Sequence, residues 1–178
     1  MNFEKALLKE HSRAQAESIA RYIGNDQHKF DQLLPFLLNE NIVLTQRAAF
    51  CYGIVFDHYP QLAKPHLQKI LAHISTNKVH DAVKRCAMRM LQFMEIPKKL
   101  HPKVIELCFH YLFNKSEAIA IRVFSMETLH QMCKHYPELA NELVPFIEIE
   151  MEQGASPGFV SRGKKVLKSL QKHKGIGG

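Results

Sequence analysis

The most regular chemistry-bearing spacing in the chain belongs to its arginines. Arg47, Arg85 and Arg122 recur at intervals of 38 and 37 residues, in Thr45-Gln46-Arg47-Ala48-Ala49-Phe50, Val83-Lys84-Arg85-Cys86-Ala87-Met88 and Ala120-Ile121-Arg122-Val123-Phe124-Ser125. Fainter copies stand at Ser12-Arg13-Ala14 and Ser161-Arg162-Gly163. A cation in the first turn of a helix opposes the helix dipole, at a cost of a few tenths to about 1 kcal/mol. Its recurrence there therefore asks for a counter-charge. Three accounts fit. The counter-charge is internal, a carboxylate or loop carbonyl of the adjacent repeat; or the arginines form a row that waits for an external anion; or helix position alone explains them. On the second account Arg47, Arg85, Arg122 and Arg162 are binding residues.

The second basic feature is the C-terminal end. The net charge is +7, but Arg162 to Gly178 carries six cations and no acid, so the preceding 161 residues sum to about +1. Lys164, Lys168 and Lys172 fall at i, i+4 and i+8, one stripe of a helix, with Lys165 beside it and Val166, Leu167 and Leu170 on the opposite side. Such a stripe meets phosphate, an acidic protein or an anionic membrane, and it is equally a solvated face. Where the charge falls in space discriminates: a stripe continuous with the arginines points to a polyanion, an isolated one does not.

Other reactive side chains are numerous but scattered. Of the eleven histidines, His66 and His73 share a helix face without a third ligand, and His130 and His135 do not share one. His58 and His135 each precede Tyr-Pro, which predicts a role at a helix end, donating to terminal carbonyls. Cys51, Cys86, Cys108 and Cys133 are widely spaced in apolar segments and read as free buried thiols of a reducing, cytoplasmic compartment. There is no CxxC, P-loop, GxGxxG, HExxH or GxSxG motif, so neither a metal nor a cofactor is predicted. No run approaches the roughly 18–20 apolar residues of a membrane span, and Met1 to Lys5 does not open a signal peptide.

Helices must position these residues, because the apolar periodicity is helical throughout and no stretch alternates with period 2. Asn2, Ser12 and Asp26 are N-caps of short helices, Gly24 is a C-cap, and Pro35 should kink a helix over 28–38 or sit where the preceding turn is already open. Segments 43–59, 80–94 and 116–135 are apolar nearly all round. Segments 61–75, 102–113, 137–153 and 159–172 are apolar on one side, with loops at 75–78 and 114–115 and a frayed end at 175–178. The alternation predicts antiparallel pairs stacked side by side, the richer helices packed between neighbours.

This pattern resembles the HEAT-repeat proteins. Pro35, Pro65, Pro102 and Pro145 stand where that family places a proline in the first helix of a repeat. Arg47, Arg85, Arg122 and Arg162 stand where it opens the second helix, with Asp81, Glu40 and Glu117 as the preceding loop acids. The resemblance implies an all-α fold, an α-α superhelix of about four helical hairpins in one domain over 1–178. Residues 1–25 would cap it, pairs would lie at 26–59, 60–94, 97–135 and 137–172, and 173–178 would be a tail. The repeat pattern together with the missing catalytic motifs points to a non-catalytic scaffold that binds a protein or peptide on the second helices, through Arg47, Arg85 and Arg122; solenoid ends, apolar unless capped, also allow end-to-end stacking. Nucleic-acid or polyanion binding through Arg162, Lys164, Lys165, Lys168 and Lys172 is the alternative. Some alkylpurine DNA glycosylases share this repeat; here Tyr22, Tyr52 and Tyr111 would have to supply the stacking aromatics, since there is no tryptophan.

Overall fold

The structure, a computed structural model, describes residues 1–76 and 79–174, with side chains as far as 172. The expected loop residues Asn77 and Lys78 and the expected frayed end at 175–178 lie outside the described residues. The chain is all-α, and no strand occurs among the described residues. It divides into two compact units, Met1–Glu95 and Ile96–Gly178. The division falls at the junction of the second and third expected helix pairs.

Unit 1 opens with α1 (Phe3–Lys9) and α2 (Arg13–Ile23). The side chain of Asn2 accepts from the amide of Lys5, Ser12 accepts from Gln15, and Gly24 closes α2 at φ 55°, a conformation that favours glycine. Asp26 caps α3 (Gln27–Asp31), and α4 follows at Leu34–Leu37. The stretch over 28–38 is thus two pieces, with Pro35 seated after an open turn, the second of the two expected arrangements. Pro35 has no N–H for the carbonyl of residue 31 and its ring crowds that carbonyl, which ends the first piece.

Helix α5 (Ile42–His58) starts on Asn41, whose side chain accepts from the amides of Val43 and Leu44. It packs between α2 and α7 (Asp81–Leu91), which accounts for apolar residues on two of its sides, while Ile42, Val43 and Phe50 stay exposed. The expected helix over 61–75 begins instead as 3-10 turns at Pro60–His66, because Pro65 withholds an α-type hydrogen bond. Regular α6 runs only from Leu67 to Ile74. The side chain of Gln92 donates to the carbonyls of Met88 and Arg89, so α7 stops before the expected residue 94.

Unit 2 holds α8 (His101–Phe113), α9 (Ile119–Met132), α10 (Ala140–Glu152) and α11 (Pro157–Lys174). Pro102 sits in the first turn of α8, where a missing N–H costs nothing. Helix α9 is shorter than the 116–135 expected. Asn114 Oδ1 accepts from both the amide and the hydroxyl of Ser116, holding that stretch as a turn. At the other end the amides of His135 and Tyr136 both reach the Met132 carbonyl. Helix α9 packs on α8 and α11, and α10 packs on α11. Gly163 allows that last approach: a Cβ there would lie 2.9 Å from Ile147 Cγ2 and from Met151 Sδ.

Candidate functional site

Three of the four arginines are held by internal acceptors. Half-buried Arg47, on α5, donates from Nη1 to the Leu7 carbonyl at 2.7 Å, near the C-terminal end of α1 where carbonyls lack helical partners. Arg122, 5 % exposed, donates from Nε to the Leu112 carbonyl of α8 at 2.9 Å and from Nη2 to Glu150 of α10 at 2.5 Å. Its guanidinium carbon lies over the Phe159 ring, 5.0 Å from the ring centre. Lys115 meets the other oxygen of Glu150 at 2.8 Å. Burial pushes the Glu150 carboxyl up, but the hydrogen bonds from Lys115 and Arg122 outweigh it and hold the group below its usual range.

Arg162, on α11, donates to Glu127 of α9 at 2.7 Å. His130 faces the other Glu127 oxygen at 3.4 Å, and its far nitrogen meets Ser169 of α11 at 2.9 Å. The His130 contact, followed by that of Arg162, lowers the Glu127 carboxyl to about 2 against the opposing effect of burial. The counter-charges are therefore Glu150 and Glu127, not the loop acids Asp81, Glu40 and Glu117 that the resemblance implies. Asp81 faces Lys84 of its own helix at 3.7 Å.

Arg85 differs. It is exposed, and the described residues offer it no hydrogen bond or ion pair. The inter-helix contact is made one turn later by Arg89, whose Nη2 lies 3.2 Å from the Gly53 carbonyl and 2.9 Å from Asp57 Oδ1. Its guanidinium lies over Gly53, 3.3 Å from where a Cβ would stand. Gln46 faces His80 and Gly53 faces Arg89, so α5 and α7 run in parallel register and Arg85 stands level with Phe50. Phe50 and Val43 are exposed on the stripe of α5 that also carries Arg47. A shallow hollow beside them is lined by Leu7, Glu10, Ser12, Ile19, Arg47 and Phe50.

Residues that the sequence left unassigned form the other polar centres. His66 is buried; its Nδ1 accepts from the Tyr52 hydroxyl at 2.8 Å and its Nε2 donates to Asp31 at 2.8 Å. His101 repeats the pattern 35 residues on, accepting from Tyr136 and donating to the Ile96 carbonyl at 2.9 Å. In both, the oxygen opposite Nε2 only accepts, so that nitrogen carries a proton. Each histidine adjoins a proline, Pro65 or Pro102, and that repeated pairing was a readable signal. The expected donors at helix ends, His58 and His135, show no hydrogen bond to a terminal carbonyl among the described residues. His58 lies against Tyr59, and His135 against His101 and Tyr136.

Tyr52 and Tyr111 are buried, and Tyr22 packs on Phe3 with its hydroxyl accepting from the terminal amine, so the three tyrosines do not form a stacking platform. All four cysteines are free and buried. Among the described residues no three His, Cys, Asp or Glu side chains gather as a metal site, and no helix is long and apolar enough to cross a membrane.

Lys164, Lys165, Lys168 and Lys172 are exposed on α11, and none has a hydrogen bond or ion pair among the described residues. With Arg122 buried and Arg162 bound to Glu127, the arginines of unit 2 do not extend this stripe. Two like-charge i, i+4 contacts within it cost about 0.2–0.5 kcal/mol each, offset at Lys172 by its place near the helix C-terminus.

A family model described as a HEAT repeat domain matches residues 3–170. No match is found among curated proteins. None is found among solved structures either.

Proposed function

Since the chain belongs to the HEAT-repeat family, whose helical-repeat scaffolds typically mediate protein interactions, we propose that it is a non-catalytic scaffold that holds a protein or peptide against α5 and α7 of unit 1. The observation that carries this reading is that exposed Arg85 and exposed Phe50 stand at one level of two parallel helices. Aromatic and arginine side chains are the usual anchors of protein interfaces. Arg47, Arg122 and Arg162 hold the repeats internally, whereas Arg85 meets no acceptor among the described residues. An acidic group beside an apolar side chain complements this face: the acid meets Arg85 and the apolar group meets Val43 and Phe50.

The test places a photo-crosslinking amino acid at position 50, at position 85, or at the exposed Lys69 of α6 as control. Irradiation in cell extract should give the same discrete protein adduct from positions 50 and 85 and none from 69. Excess unmodified protein should compete it away, and the Arg85→Glu protein should not. Equal labelling at all three positions, or adducts that Arg85→Glu competes fully, overturns the reading.

A further inference from the structure

We propose that the exposed face of α11 binds the phosphodiester backbone of duplex nucleic acid without regard to sequence. This site lies in unit 2 and is independent of the scaffold reading for unit 1. The arginines do not extend the stripe, and an isolated stripe does not by itself point to a polyanion; three other observations converge on this site. The charges of the last helix pair are sorted: α10 carries Glu142, Glu148, Glu150 and Glu152 without a cation, and α11 carries its lysines without an acid. The acids are close at hand, since α10 and α11 touch at Gly163, yet Lys164, Lys165, Lys168 and Lys172 have no described counter-charge. A face that only solubilised the protein would gain from interleaving the two signs along each helix.

The second observation is what the face lacks. From Ser161 to Lys172 its exposed residues are Ser161, Lys164, Lys165, Lys168, Gln171 and Lys172. Val166 and Leu170 are buried. The exposed positions include no aromatic or aliphatic side chain, Leu167 being half-buried, and lysine is depleted from protein interfaces, so a protein partner finds little core to bury. A membrane finds no apolar edge to insert either.

The third is the form of the charge. Lysine ammoniums act as point charges and suit phosphate oxygens; the bidentate reader of a guanine edge would be an arginine, and Arg162 is held by Glu127. From Lys164 to Lys172 the helix rises about 12 Å, the axial span of roughly three to four phosphates along one strand. Recognition is therefore of backbone, with four ion contacts at most.

The experiment is fluorescence anisotropy of the full chain with two labelled duplexes of unrelated sequence at 50 and 200 mM salt, beside the variant Lys164→Gln/Lys165→Gln/Lys168→Gln/Lys172→Gln. Four released counterions give an affinity loss of about 150-fold over that fourfold rise in salt, from a dissociation constant of about 10⁻⁶ to 10⁻⁴ M. The two duplexes should bind equally within a factor of two. Lys164→Gln/Lys165→Gln should halve the logarithmic salt dependence, leaving about a 12-fold loss, and the quadruple variant should not bind. Gln and Lys have similar helix propensity, so circular dichroism should show both variants folded. No binding at 50 mM salt, binding that survives the quadruple change, tighter binding to vesicles of phosphatidylcholine and phosphatidylserine, or lysine-dependent self-association in sedimentation would each overturn the proposal.

Discussion

Changing Glu127 to Gln tests whether the ion contacts joining α9 and α11 stabilise unit 2. The Glu127 side chain is 18 % exposed and meets Arg162 at 2.7 Å and His130 at 3.4 Å. Its carboxyl is held at about 2 against an ordinary 4.5. That shift corresponds to about 3.4 kcal/mol at neutral pH, at 1.36 kcal/mol per unit. Arg162 is 35 % exposed, so solvent screening makes about 2–3 kcal/mol the working expectation. The folded-state value lies below the unfolded one, so the stabilisation is fully present above about 4.5 and is lost as pH falls towards 2. Between pH 7 and pH 3 it should shrink to less than half. The assay is urea unfolding followed by circular dichroism at pH 7.0, 4.5 and 3.0 for both proteins. Glu127→Gln should be less stable by about 2–3 kcal/mol at pH 7 and by about 1 kcal/mol at pH 3. A gap that stays constant across that range, or one below about 0.5 kcal/mol at pH 7, would refute the assignment, because only a titrating carboxylate produces the convergence.

Three further outcomes follow from neighbouring geometry. Glu150→Gln leaves the buried Arg122 guanidinium short of its counter-charge and should cost about 3–5 kcal/mol in denaturant unfolding, while Arg122→Met with Glu150→Leu should recover most of the loss. Gly163→Ala drives a Cβ into Ile147 and Met151, and the overpacking cost of about 1–3 kcal/mol exceeds the gain of up to about 1 kcal/mol in helix propensity. Gly158→Ala meets only Ile119 Cγ2, at 3.7 Å, so its melting temperature should hold or rise where that of Gly163→Ala falls. Burial pushes the thiols of Cys51 and Cys86 up to about 12 and that of Cys108 upward as well. A colorimetric disulfide reagent at pH 8 should therefore react slowly with the native protein and rapidly with all four cysteines in denaturant.

Local chemistry carried much of the fold. The caps at Asn2, Ser12 and Asp26 and the glycine stop at Gly24 are contacts within a few residues, so the spacing of residue types is enough to place them. The all-round apolar character of α5 likewise announced that it packs between neighbours. Boundaries were less accessible where prolines compete with periodicity. The stretch around Pro35 became two helices and the one around Pro65 became 3-10 turns, because an apolar stripe does not reveal whether its backbone hydrogen bonds can close.

The repeat of arginines at 38 and 37 residues was a property of the chain alone, and it pointed correctly to helical repeats of the HEAT family. What each arginine meets was settled only in three dimensions. Arg47 reaches a carbonyl 40 residues away, Arg122 a carboxylate 28 away and Arg162 one 35 away, while Arg85 is passed over in favour of Arg89. The physical reason is that periodicity fixes the face on which a side chain stands but not the register of the neighbouring helix. That register brought Glu150 to Arg122 and Glu127 to Arg162, and it left Arg85 and the lysines of α11 facing outward.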